Sequence, residues 1–132
     1  MDVDNERFQY WWEKSEPLLV KALHRSGDLH TIDDVFESIK ENKAIFYPLK
    51  DGAAIFTFRE YSRRRLLQIW LVGGDMEASI EGVLAGADFY AEQNGCDGIE
   101  VIGRKGWKRV LEPYGYDYKS IVMIKDIGDQ DG

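Results

Sequence analysis

The feature that most constrains this fold is a change of hydrophobic period near residue 73. Three short apolar runs come before it, separated by turn residues, at residues 44–49, 53–60 and 66–72. Asp51-Gly52 lies between the first two runs, and this dipeptide between apolar runs is a strong hairpin signal. After the change, apolar side chains recur at helical spacing from Met76 to Tyr90. The sequence therefore predicts three antiparallel strands followed by a long helix.

A parallel strand is predicted after this helix. The helical pattern stops at Gln93-Asn94-Gly95, and a new apolar run covers residues 98–103. A strand, a helix and a strand in direct succession form a right-handed crossover between parallel neighbours. A short helix at residues 107–111 and a last strand at residues 118–125 complete the pattern. The predicted class is α/β (α+β), with a mixed central sheet in which a meander precedes a β-α-β crossover.

Helices are predicted for the start of the chain. Residues 6–25 read as two helical pieces, the second capped by Ser15 with Pro17 in its first turn. Thr31 begins a capping-box variant for a further helix that extends to about residue 42. The sheet is therefore expected to follow N-terminal helices.

Composition fits one domain. A chain of 132 residues is too short for two good cores, and its 44% hydrophobic residues are enough for one packed interior. Residues 1–6 and 126–132 are mostly polar and acidic, so we expect them to be flexible tails.

Charge and cysteine content limit the kind of partner and the cellular compartment that we expect for this chain. The net charge of −7 argues against a duplex-binding surface, and the basic clusters at residues 63–65 and 104–109 are interpreted mainly as solvated turns. The one cysteine, Cys96, suits a reducing compartment. The sequence shows no secretory signal and no apolar run approaching ~20 residues. We therefore expect a cytoplasmic protein without membrane contact.

The order of predicted elements resembles the GNAT (N-acetyltransferase) fold. The most specific local match is the segment RKGWKRVLEPYGY at residues 104–116, where Glu112 and Gly115-Tyr116 fit the family's Tyr-Glu-x-x-Gly-Phe pattern. The resemblance covers residues 44–125. The family's leading strand is not visible, since helices come first here.

A narrower resemblance is carried by Gly95-Cys96, Gly103-Arg104-x-Gly106-Trp107 and Gly115-Tyr116. These three short segments look like those of small GNAT-like proteins encoded by tailed bacteriophages and prophages. The likeness implies a virion- or assembly-associated protein, located in the host cytoplasm or inside the particle. Its expected partner is a virion or host protein.

The GNAT resemblance also implies where acetyl-CoA would bind. In that family the CoA diphosphate lies on backbone N–H groups at the start of the long helix, after a Gln/Arg-x-x-Gly-x-Gly/Ala loop. Residues 72–79 read VGGDMEAS here, so the motif is absent, and Asp75 is placed to cap the helix itself. Glu77 adds a second negative charge. The corresponding candidate cofactor-binding residues are Val72, Gly73, Gly74, Asp75, Arg104 and Trp107.

The family's acid and base are matched poorly. The resemblance places a tyrosine, as general acid, four residues before Gly115, but Leu111 occupies that position and cannot donate a proton. Tyr114 and Tyr116 are near in sequence at a different spacing, and are the candidates to replace it. Glu100 is the candidate general base, although an outward carboxylate on the sheet is the favoured interpretation. The sequence contains no cluster with metal-ligand spacing.

The first helix offers a candidate contact surface. Trp11 and Trp12 are neighbours, and neighbouring side chains on a helix point about 100° apart. One of the two is therefore expected to be partly exposed. An exposed aromatic ring beside basic groups suggests a protein contact.

Three functions follow from these observations. The first is a catalytically degenerate GNAT-fold protein that acts by binding another protein. The second is an acyl-CoA-dependent N-acyltransferase with an atypical site, for which acetyl-CoA would be the cofactor. The third, nucleic-acid binding through the arginine clusters, is the weakest because the chain is acidic.

Overall fold

The computed structural model describes residues 1–102, 107–120 and 122–128. It divides the chain into two compact units, Met1–Val101 and Ile102–Gly132. Each unit is described by itself. The predicted single domain and the predicted flexibility of its tails stay predictions, although Asn5 caps the first helix from within the predicted N-terminal tail.

The first unit is built on a four-stranded sheet with the order β1-β2-β3-β4. The strands are β1 at Ala44–Leu49, β2 at Gly52–Glu60, β3 at Arg65–Gly74 and β4 at Gly98–Val101. The first three pair antiparallel, and β3 pairs parallel with β4. Both the predicted meander and the predicted crossover are confirmed.

The crossover helix α3, Met76–Gln93, packs on the sheet through two glycines. A Cβ on Gly86 would stand 2.5 Å from the Tyr47 ring, and one on Gly82 would stand 2.9 Å from Leu49 Cδ2. Glycine lowers helix propensity. Close packing against the sheet is therefore the reason for both residues.

The first helix, α1, corrects the prediction of two helical pieces. It is one helix, Glu6–Arg25, with Pro17 inside it, and Ser15 is buried within the helix rather than capping a second one. A proline costs the helix one hydrogen bond and causes a clash with the preceding turn. The helix continues because one apolar stripe, including Phe8, Leu19 and Leu23, runs along its whole length into the core.

The second helix, α2, Ile32–Lys40, begins as predicted. Thr31 accepts a hydrogen bond from the Asp34 N–H, and the Thr31 N–H donates to Asp34 Oδ2 at 3.0 Å. The hydrogen bond from the Thr31 backbone N–H to the Asp34 carboxylate, followed by the Thr31 side chain, holds the pKa of Asp34 below its usual value.

The core lies on both faces of the sheet. One face is covered by α1 and α2, where Phe8 and Trp12 contact Phe46 with ring centroids 5.4 and 5.3 Å apart. On the other face Phe56 and Tyr47 contact Tyr90 of α3. Alternation along β1 and β2 separates the two sets of side chains.

The second unit contains the predicted short helix α4, Trp107–Leu111, followed by a 3-10 turn at Glu112–Tyr114. The predicted last strand at residues 118–125 is wrong for its described residues, which form no strand. A strand is stabilised by a hydrogen-bonded neighbour and by a buried face. Met123, in the middle of this segment, is 82% exposed, so the segment lacks such a buried face there.

Candidate functional site

The start of α3 is closed by a carboxylate, as the sequence predicted. Asp75 is the N-cap residue, and its Oδ1 accepts a hydrogen bond from the Ala78 N–H at 3.2 Å. The Asp75 N–H donates to the Asp51 carbonyl at 2.9 Å. Glu77 adds a second carboxylate in the first turn. Negative charge at this end is stabilised by the helix dipole, so the chain itself supplies the anion that the helix start favours.

Gly73 and Gly74 serve packing at the end of β3. A Cβ on Gly73 would stand 2.5 Å from the Leu18 carbonyl oxygen of α1. A Cβ on Gly74, whose φ is +99°, would stand 2.5 Å from the Asp51 carbonyl oxygen. Both residues lie in the ladder with β2. Other parts of the chain therefore fill the space that these two glycines leave open, and Val72 before them is buried.

An open groove runs beside this turn. It encloses about 390 Å³ between the C-terminal half of α1, the β1–β2 turn and the start of α3. Two cations and two carboxylates line it, so their formal charges cancel. The lining residues are Leu18, Lys21, Arg25, Asp51, Gly74 and Asp75.

The sheet opens beside Trp70. The ladder between β3 and β4 ends at Ile69, whereas β3 continues to Gly74. Trp70 is also the extra residue of a β-bulge, because Ile55 pairs with Leu71 while Phe56 pairs with Ile69. In the described part of the chain, no strand pairs with residues 70–74 on the β4 side. His30 contacts the Trp70 ring edge-on at 5.1 Å.

A row of polar side chains crosses the sheet beside this opening. Gln68 is 8% exposed; it accepts a hydrogen bond from the Thr57 hydroxyl at 3.0 Å and donates to Glu100 Oε1 at 3.2 Å. The Tyr61 hydroxyl donates to Glu100 Oε2. By the strand register, Thr57, Gln68 and Glu100 are direct neighbours on the face that bears α1 and α2. The contact between Tyr61 and Glu100 raises the pKa of Tyr61 above its ordinary 10.0, mainly through the hydrogen bond to the carboxylate.

Glu100 is therefore half-buried and fixed by two donors, rather than the simple outward carboxylate that the sequence favoured. Its role as a general base stays a prediction. The sequence analysis missed Gln68 and Tyr61. The available signal was Gln68 itself, the one polar residue inside the apolar run at residues 66–72.

The other candidate residues lie in the second unit. Trp107 begins α4 and is half-buried, whereas Tyr114 ends the 3-10 turn and is exposed. Tyr116 is half-buried, and its N–H donates to the Leu111 carbonyl at 3.4 Å. Arg104 lies outside the described residues. The roles of these four residues stay predictions.

The described residues contain neither a metal-ligand cluster nor a membrane-spanning helix. Within residues 1–102, 107–120 and 122–128, no group of three or more His, Cys, Asp or Glu side chains could hold a metal ion. In the same part of the chain, no helix is long and apolar enough to span a bilayer.

Solved structures share this fold. One described as a probable acetyltransferase matches with a TM-score of 0.62 and 13% identity, over 86% of this chain and 90% of that one. A transcriptional regulator from Bacillus halodurans C-125 matches with a TM-score of 0.61 and 17% identity, over 73% and 74% of the two chains. A Trypanosoma brucei acetyltransferase matches with a TM-score of 0.58 and 13% identity, over 86% and 95%. No protein-family model and no curated protein matches this sequence.

These likenesses establish the fold. The four-stranded mixed sheet, the preceding helices and the crossover helix match those of GNAT-like acetyltransferases. Since a fold can host unrelated functions, identities of 13–17% carry no reaction with them.

Proposed function

We propose that this chain is a GNAT-fold protein that does not transfer acyl groups and that acts by binding another protein. The observation that carries the proposal is the start of α3, where Asp75 caps the helix and Gly73 packs against the backbone of α1. In the GNAT layout the diphosphate of CoA would need this position.

Electrostatics support the same conclusion. Two unit charges about 4 Å apart interact by about 1–4 kcal/mol at the effective dielectric constants of a protein surface. A diphosphate at the start of α3 would meet that repulsion from both Asp75 and Glu77. Lys21 and Arg25 line the groove, and Asp51 together with Asp75 offsets their charge. The position therefore offers a diphosphate little net attraction.

A protein partner is supported by the surface of α1. Trp12 packs into the core, while Tyr10 beside the half-buried Trp11 is 58% exposed. Exposed aromatic rings next to cations are typical of the residues that dominate protein interfaces. The resemblance to phage-encoded proteins suggests a virion or host protein as this partner.

The test is an acetyl-CoA titration by calorimetry, combined with an acyl-transfer assay on a panel of primary amines. The proposal expects neither binding nor transfer. A matched variant, Asp75→Asn with Glu77→Gln, keeps a capping side chain and removes both charges. It should bind CoA more tightly than the natural chain. Tight binding and turnover by the natural chain would contradict the proposal.

A second candidate function is an acyl-CoA-dependent N-acyltransferase with an atypical site. It is favoured by the edge of β3 beyond Ile69, where no strand of the described residues pairs on the β4 side, and by the Glu100 carboxylate, which Gln68 and Tyr61 fix beside that edge. In the GNAT layout, splayed central strands accept the pantetheine arm. This candidate predicts acyl transfer that is lost in Glu100→Gln and kept in Glu112→Gln.

A further inference from the structure

The charges of α1 are separated onto two flanks. Its basic residues recur every seven residues and then after four, which places them in one stripe on the helix; they are Arg7, Lys14, Lys21 and Arg25. Its acidic residues Glu6, Glu13 and Glu16 lie on the other side of the exposed surface. Tyr10 and Trp11 border the basic stripe on opposite sides, about 100° apart around the helix. We call Arg7, Tyr10, Lys14, Lys21 and Arg25 the basic flank.

No cation of the basic flank is held in an ion pair within the described chain, although Asp51 and Asp75 offset the charge of Lys21 and Arg25 across the groove. All four are exposed, and in residues 1–102, 107–120 and 122–128 none of them forms an ion pair. Lys14 instead lies over two aromatic rings, with its Nζ 4.9 Å from the Trp11 centroid and 5.5 Å from the Tyr10 centroid. Cation–π contacts position an ammonium group and leave its charge able to attract an anion.

The basic flank leads into the groove beside the start of α3. Leu18, Lys21 and Arg25 form the α1 side of this groove, and Asp51 and Asp75 lie opposite. A ligand that follows the flank therefore finds unopposed positive charge at Arg7 and Lys14. It meets two carboxylates at the groove end. This arrangement favours anionic groups along the helix and a neutral or apolar group against Leu18.

We propose that the basic flank binds an acidic segment of another protein. The inference rests on the proposed protein-binding function and names the chemistry of the partner. Lys14 and Lys21 are seven residues apart, which is about 10.5 Å along a helix. Carboxylates seven residues apart on a partner helix, or about three apart on an extended segment, match that spacing.

Charge complementarity favours a protein over nucleic acid. The whole chain carries a charge of −7, and acidic residues occupy the adjoining flank and the groove end. Four cations in one narrow stripe can neutralise only a few phosphates, and the electrostatic affinity for nucleic acid grows with the number of phosphates that a protein contacts. A short acidic segment fits within the stripe and avoids the acidic surface beside it.

The experiment measures fluorescence anisotropy of a labelled Glu-rich peptide of about 20 residues, a length comparable to α1. The same peptide with Gln in place of Glu, a single-stranded oligonucleotide and ADP serve as competing probes. Lys14→Glu with Lys21→Glu should weaken peptide binding by about tenfold or more. The matched control, Arg59→Glu with Arg63→Glu, makes the same change in net charge at two exposed residues near the turn between β2 and β3, outside α1. It should leave binding within about threefold. Circular dichroism checks that both variants stay folded.

Equal weakening by the two variants would overturn the proposal, because attraction would then follow net charge alone. No peptide binding, or tighter binding of the oligonucleotide or of ADP, would overturn it as well. If neither peptide binding nor acyl transfer is detected, the basic flank is not the binding surface, and the proposed function stays in place. Acyl transfer without peptide binding would contradict both.

Discussion

The side chain of Asp75 accepts a hydrogen bond from the backbone N–H of Ala78 at 3.2 Å, at the start of the long helix. This one contact connects local sequence with function. It satisfies a backbone donor that has no partner within the helix, and it places a negative charge where the GNAT layout would receive a diphosphate.

Asp75→Ala is expected to destabilise the protein by about 0.5–2 kcal/mol, because the helix loses its N-cap. Urea denaturation of the natural chain and the variant measures the difference. Asp75→Ser keeps a capping oxygen and should recover most of the loss. Equal stability of Asp75→Ala and the natural chain would show that the cap contributes nothing.

Gly86→Ala is expected to destabilise the protein by about 1–3 kcal/mol, although alanine is the better helix former. The new methyl group would stand 2.5 Å from the Tyr47 ring, which is itself packed against Phe56 and Tyr90. Gly82→Ala is the control on the same helix. Its methyl group would stand 2.9 Å from the end of the Leu49 side chain, which can rotate away. In thermal denaturation, the Tm of Gly86→Ala should lie well below that of Gly82→Ala. The reverse order of the two Tm values would contradict the packing of Gly86 against Tyr47.

Tyr61 is expected to ionise above its ordinary pKa of 10.0, because its hydroxyl donates to Glu100. A group whose pKa is raised on folding stabilises the native state at every pH below the ordinary pKa. That contribution is lost as the pH rises through the folded value. The stability of the natural chain should therefore fall between pH 10.0 and the higher folded pKa of Tyr61.

The measurement is an alkaline titration of the phenolate signal, with Tyr61→Phe identifying this residue among seven tyrosines. Glu100→Gln should bring the pKa of Tyr61 back toward its ordinary value, while Glu37→Gln, at an exposed position of α2, should not change it. An unchanged Tyr61 titration in Glu100→Gln would show that the carboxylate is not the cause.

Gln68→Leu is expected to cost about 1–3 kcal/mol of stability, because it leaves the Thr57 hydroxyl and Glu100 without one partner each. Thr57→Val removes the other end of one bond. Since the two residues share that bond, the double variant should lose less than the sum of the single losses. Chemical denaturation of all four proteins closes the cycle. Strictly additive losses would contradict the coupling.

The sequence predicted the elements whose signals are local. The Asp51-Gly52 turn, the stripe of α3 and the Asp75 cap each depend on a few neighbouring residues.

The features that the sequence did not predict depend on contacts between residues that are distant in sequence. Pro17 indicated a break in α1, whereas packing of the apolar stripe keeps the helix continuous. Tyr61 and Glu100 are 39 residues apart, and their contact depends on the register of β4 against β3. The last strand was predicted from its apolar run alone, since a sequence pattern does not show whether a neighbouring strand is available.

The central claim is that the start of α3 does not hold a diphosphate. Its most direct test is a titration of the isotope-labelled protein with CoA, followed by the backbone amide resonances of Gly73, Gly74 and Ala78. We expect these three resonances to stay in place up to millimolar CoA. Saturable shifts of all three at micromolar CoA would contradict it.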